Sequence, residues 1–154
     1  MTIQTKLFGN ILVDEEKKIY FENGIIGFPD LKNFLIIFDE EEKESARISW
    51  LQSVEEPGFA IPVMNPLLAD QKYNPIVNDE LLESLGEIDS DEMLVLVTVT
   101  IPAKIQKMSV NLKAPIIINA ITRKACQIVV ENEEYLVKYP VYEVFQSKKE
   151  KAGE

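Results

Sequence analysis

The sequence predicts a mainly β fold, a small antiparallel β-barrel-like domain with one or two short helices. Three observations carry this. There are about ten short apolar or β-branched runs. Gly, Asn and Pro turn signals separate them at close spacing. Only one stretch, Asn78 to Gly86, has convincing helix signals. The chain's 154 residues suit one domain, expected over 1–146, with a flexible C-terminal tail over 147–154. Pattern alone leaves a closed barrel and an open sandwich both possible.

Taken in order, Leu7-Phe8, Gly9-Asn10 and Ile11-Leu12-Val13 read as a tight hairpin turning at Gly-Asn. Asp14-Glu15-Glu16 begins a second turn. From Lys18 to Glu22, Ile19 and Phe21 alternate with polar neighbours, the mark of a half-buried strand. Asn23-Gly24 and Gly27-Phe28-Pro29-Asp30 are turns flanking Ile25-Ile26. Phe34 to Phe38 is a continuous apolar strand, and Asp39 to Glu44 is too charged to be buried. Ile48 to Gln52 and Phe59 to Val63 are strands around the turn Glu55-Glu56-Pro57-Gly58. Pro62 and Pro66 limit how far the second can pair. Leu67 to Asp70, after Pro66, offers another helical turn.

In the main helix Asn78 suits the N-cap, and Asp79 and Glu80 sit at the positive end of the helix dipole. Leu81, Leu82 and Leu85 share a face, and Gly86 closes the C-terminus. Met93 to Ile101 is a long β-branched strand, apolar on both faces at first and alternating later. Strands are expected at Ile105 to Val110, Ile116 to Ile121, Cys126 to Val130 and Tyr135 to Val137. Glu131-Asn132-Glu133 would join the last two as a hairpin. The stretch M-S-V-N-L-K-A-P-I-I-I-N, Met108 to Asn119, holds two apolar runs broken by Asn111, Lys113 and Pro115. Since proline belongs at a strand start, edge or bulge, this is an irregular corner between two strands.

Composition narrows the function. With 16 Lys plus Arg against 26 Asp plus Glu, the net charge of −10 disfavours nucleic acid, whose phosphates need cations. It favours a basic or mixed-charge protein partner, or serves solubility alone. The chain has no histidine, which removes the commonest general base and metal ligand. Cys126, the one cysteine, sits in an apolar run and reads as a small core residue. No run reaches membrane-spanning length and no signal-peptide pattern is present, so a cytoplasmic location is expected.

Few constellations suggest chemistry. Asp79, Glu80, Glu83, Glu87, Asp89, Asp91 and Glu92 form an acidic stretch without a base. It lacks the glycine and terminal glutamate spacing of a calcium loop, which leaves a solvated face or a docking surface. Ser53 has no histidine to activate it. Gly24 and Gly27 are explained by turns, not by a phosphate loop. Trp50 reads as a core anchor, with an interface anchor as the alternative.

Three segments in register resemble the FliW flagellar assembly factor family: F-E-N-G-I-I-G-F-P-D-L-K-N-F (Phe21 to Phe34), W-L-Q-S-V-E-E-P-G-F-A-I-P-V-M-N-P (Trp50 to Pro66), and V-N-L-K-A-P-I-I-I-N (Val110 to Asn119) followed by R-K-A-C-Q-I-V-V. The resemblance implies a β-barrel-like protein without catalysis or cofactor, monomeric when free. It would bind flagellin and the RNA-binding translational repressor CsrA, touching neither nucleic acid nor membrane. Partner switching would then relieve repression of flagellin synthesis. The expected partner-binding residues are the acidic group Glu83, Glu87, Asp89 and Asp91, with the corner residues Asn111, Lys113 and Asn119 as the competing site. The rival expectation is a small-molecule-binding β-barrel, which needs an apolar internal cavity.

Overall fold

In the computed structural model, residues 2–38, 48–76, 79–86 and 93–143 are described. The expected charged loop Asp39 to Glu44, the Asn78 cap and the tail from Ser147 lie outside them. A hairpin of β1 (Thr2–Thr5) and β2 (Gly9–Leu12) precedes β3 (Ile19–Phe21), β4 (Asn33–Phe38), β5 (Ser49–Ser53) and β6 (Ala60–Met64). Two short helices follow, α1 (Pro66–Ala69) and α2 (Asp79–Leu82), the latter continued by a 3₁₀ turn over Glu83–Leu85. Then come β7 (Met93–Thr100), β8 (Ser109–Val110), β9 (Ile116–Asn119), β10 (Lys124–Gln127) and β11 (Tyr139–Pro140).

Seven strands close on themselves in the order β7-β6-β5-β4-β3-β10-β9 and back to β7. The choice between barrel and sandwich thus resolves as a barrel. All pairs around it are antiparallel except β3 and β10, which run parallel through Tyr20 and Phe21 against Lys124 and Ala125. The barrel interior is filled by Phe21, Phe34, Leu51, Val63, Leu96, Ile116, Ile118 and Ala125. Phe21 and Phe34 meet edge-on at 5.2 Å, the geometry favoured by opposed ring quadrupoles.

Strands here are apolar on both faces because both faces are covered. Alternate residues of β6 and β7 (Met64, Val97, Val99) point outward into a second core with Met108, Val110, Leu112, Tyr73 and Val141. Likewise Ile117 of β9 leaves the barrel to pack with Leu85 and Ile128, and Leu82 and Cys126 pack against that group. This explains why the first half of β7 shows no clean alternation.

The ladder of β7 carries one large irregularity. Val99 pairs with Val110 and Leu96 with Ile116. Between those pairs, two residues of β7 face the five of segment 111–115, an extended bulge. The bulge leaves backbone groups that a regular ladder cannot satisfy; β7 meets one of them and the C-terminal segment meets others. Asn111 N–H donates to Thr98 O, and Leu112 N–H to Leu136 O. Val130 N–H donates to Lys113 O, and Ile128 N–H to Pro115 O. Gln127 Nε2 donates to Ala114 O. The irregular corner expected at Met108 to Asn119 is therefore present, and both its strands pair with β7.

Several local expectations are corrected. The first hairpin turns at residues 6–8, not at Gly9-Asn10. Thr5 Oγ1 accepts from Phe8 N–H and donates to Gly9 O, and Gly9 takes φ +68° where β2 leaves the three-residue loop. Ile105–Lys107 is a 3₁₀ turn, and only Ser109 and Val110 find partners on β7. Tyr135 to Val137 forms no strand. Asn132 is no hairpin turn but a buried clamp, accepting from Ile76 N–H and donating to Asn74 O. Trp50 is half-buried on the outside, edge-on to Phe8 at 6.0 Å, rather than in the core. Among the described residues no helix is long and apolar enough to cross a membrane.

Gly24 shows what the first motif requires. It takes φ +67°, and a Cβ there would stand 2.5 Å from Phe28 O and 2.6 Å from Pro29 O. Gly9 shares the positive φ but has open space. Gly24→Ala is therefore expected to cost about 3 kcal/mol of unfolding free energy and Gly9→Ala about 1 kcal/mol, read from urea unfolding curves.

Burial pushes the Cys126 thiol from 9.0 up to about 11. Below pH 9 the folded and unfolded chains both hold this proton. Above it the unfolded chain releases the proton first, so stability falls as pH rises from about 9 to 11. Burial, then the neighbouring Tyr135, pushes the Tyr73 hydroxyl up as well, which deepens the alkaline loss. Thermal unfolding scanned across that range should show the decline, and iodoacetamide at pH 8 should label the native thiol far more slowly than the unfolded one.

Candidate partner-binding surfaces

The corner residues are built into the frame. Asn111 Oδ1 accepts from Lys113 N–H at 3.1 Å and Ala114 N–H at 3.0 Å, which folds the bulge. Lys113 Nζ donates to Asn132 O at 2.6 Å, tying the bulge to the clamp on the 74–76 segment. Asn119 ends β9 and is fully buried. Its Nδ2 donates to Leu85 O at 2.9 Å, and its Oδ1 accepts from Ile121 N–H and Thr122 N–H. Thr122 Oγ1 donates to the same Leu85 carbonyl. The end of the helical segment is thereby pinned to the β9–β10 turn, where Gly86 turns the chain away at φ +83°.

The acidic group is differently placed. Glu83 is exposed on the 3₁₀ turn after α2, with its backbone carbonyl accepting from Gly86 N–H. Glu87, Asp89 and Asp91 lie outside the described residues. Among the described residues no group of three or more carboxylates or thiols could hold a metal ion.

The second motif is a turn machine. Gln52, fully buried on β5, aims Nε2 at Ser53 O, Pro57 O and Phe59 O. Ser53 Oγ accepts from Glu56 N–H, a structural task for a hydroxyl without a base. The Glu55 carboxylate accepts from Lys32 N–H, Asn33 N–H and Asn33 Nδ2. Burial raises its pKa, but the bonds from Asn33 and Lys32 outweigh this and leave it lowered. The first motif is thus clamped by the second. It is joined to the third through Ile26 N–H, which donates to Gln127 Oε1.

Sequence reading missed a groove beside the first hairpin. Ile11 and Leu12 of β2, Ile19, and Leu35, Ile36 and Ile37 of β4 line a cleft of 470 Å³, with Asp14, Lys17 and Arg123 also lining it. A smaller cleft of 270 Å³ lies between α1 and the start of β7, lined by Leu67, Tyr73, Pro75 and Leu94. Side chains fill the barrel interior itself.

Truncating the two asparagines should separate frame from surface. Asn119→Ala empties a fully buried position, removes the amide that donates to Leu85 O and the oxygen that folds the Ile121–Thr122 turn, and is expected to cost about 3 kcal/mol. Asn111→Ala, at a half-buried turn, is expected to cost about 1 kcal/mol. Equilibrium unfolding of both variants checks the ranking.

The chain is similar to known proteins in sequence and in fold. The family described as FliW protein matches residues 2–141. The chain is 47% identical over 151 residues to the flagellar assembly factor FliW of Lachnoclostridium phytofermentans, covering 98% of this chain and 97% of that one. It is 46% identical to the FliW of Lachnospira eligens, covering 95% and 97% of the two chains. With the FliW of Thermotoga neapolitana it shares 39%, covering 97% and 98%. A crystal structure of the flagellar assembly factor FliW superimposes with a TM-score of 0.82 at 28% identity, covering 92% of this chain and 96% of that one. A match of fold and sequence along nearly the whole chain leaves one conclusion: this protein belongs to the FliW family of flagellar assembly factors.

Proposed function

We propose that this chain is a cytoplasmic partner-switching regulator that binds flagellin and, when released from it, binds and antagonises CsrA. The observation that carries the reading is the family match over residues 2–141. The physics agrees with it. A net charge of −10 suits an antagonist of an RNA-binding protein, whose own surface is positive. The reading needs no catalytic group, only two affinities made mutually exclusive.

The acidic group Glu83, Glu87, Asp89 and Asp91 is the proposed contact with CsrA, or the charge that repels phosphate beside it. Asn111, Lys113 and Asn119 are the competing contact site; of the three, Asn119 presents nothing to solvent.

Calorimetry with purified CsrA and flagellin tests the reading. Each should bind alone, and saturating flagellin should abolish the CsrA isotherm. Binding of neither protein overturns the proposal, and simultaneous binding of both overturns the switch. Neutralising the four acids to Gln or Asn should weaken CsrA binding roughly tenfold or more at low salt. Unchanged affinity removes them from the account.

A further inference from the structure

The groove between the first hairpin and β4 combines three properties. It is apolar and open: Leu12 is 73% exposed, the most of any large apolar side chain among the described residues. Its volume of 470 Å³ falls within the roughly 300–1,000 Å³ of ligand-sized clefts. Its charge also inverts that of the molecule. Lys17 and Arg123 line it against the single carboxylate of Asp14, in a chain of net charge −10. Among the described residues the one ion pair is Lys18 with Glu15, so neither Lys17 nor Arg123 is neutralised there.

Arg123 adds a fourth property. It is the one non-glycine with positive φ among the described residues, at +63°. That conformation costs an arginine about 1 kcal/mol or more. The turn enforces it: Arg123 N–H donates to Asn119 O, and Arg123 O accepts from Tyr20 N–H. The guanidinium is thus carried on a fixed backbone, not on a free loop. Asn or Gly would serve the turn with less strain, and neither would bring a cation to the cleft.

We propose that this groove docks a segment of a partner protein that inserts apolar side chains between β2 and β4 and places a flanking carboxylate against Lys17 and Arg123. Arginine forks match carboxylates bidentately, and an apolar surround strengthens such a contact. The occupant is therefore the opposite in charge to the one the acidic group suits. The proposal is independent of the identity of either proposed partner. Trp50 provides a built-in reporter, because it pairs in register with Ile37 of the groove wall.

The test uses the full chain and three synthetic peptides that share one leucine-rich face and differ only in flanking Glu, Gln or Lys. Binding is read by anisotropy of a labelled peptide and by Trp50 emission. The Glu peptide is expected to bind roughly tenfold more tightly than the Lys peptide and to shift Trp50 emission. Lys17→Glu with Arg123→Glu should reverse that order. Arg123→Asn, which suits the left-handed backbone, should narrow it without loss of fold, and Leu12→Ser should weaken all three peptides. Asp39 to Glu44, outside the described residues, are left unchanged throughout. Equal affinities, an order that survives charge reversal, or no binding by any peptide would overturn the proposal. So would Leu12-dependent dimerisation in sedimentation, which would make a second copy the occupant.

Discussion

Barrel closure through β7 is the constraint on which the rest of the molecule depends. Its first half pairs with β9, its middle with β6 and its end with β8. Because β8 and β9 run along the same partner, the extra residues of 111–115 must leave the ladder. Once they leave, their N–H and C=O groups need partners, and a buried unpaired group costs about 1–3 kcal/mol. Residues 127–136 supply several of those bonds. The path of residues 127–136 is therefore tied to one irregularity in the ladder of one strand. Tyr73, Leu112 and Val141 of the second core cover the outer face of β7, which lets it be apolar on both sides.

The three sequence motifs find their explanation in this frame. Gly24 permits the close approach of two backbone carbonyls, and Gln52 and Glu55 close turns from within. Asn111 folds the bulge and Asn119 anchors the end of the 3₁₀ turn after α2. Residues that look like candidates for recognition are mostly occupied with backbone accounting. Polar side chains in such positions are fixed by geometry, which is also why the motifs stand out in the sequence.

Much of the fold was legible. Turn residues and apolar runs located β3 through β7 and β9, and the Pro115 break located the corner. Three things were not. The parallel β3–β10 pair joins strands about a hundred residues apart, and nothing local encodes it. Tyr135 to Val137 is apolar without being a strand, because Tyr135 packs its ring on Tyr73 at 4.6 Å instead of joining a ladder. The groove was invisible because Leu12, Leu35 and Arg123 come from three separate elements. Of the expected site, only the exposure of Glu83 and the role of the corner asparagines could be read, since an Asn at a break signals backbone capping as readily as recognition.

Functionally, the molecule is a rigid barrel with filled interior, carrying acidic residues on one segment and two cations beside an apolar cleft on another. Such an object suits the proposed role of presenting surfaces to partners. Hydrogen exchange followed by mass spectrometry, on the free chain and with either proposed partner, tests this most directly. The account predicts that the amides of Asn111, Leu112, Ile128 and Val130 are among the slowest to exchange, and that partner binding leaves them unchanged while protecting surface segments. Exchange of those amides at open-loop rates, or their new protection on binding, would contradict it: the corner would then be a docking element and not the frame.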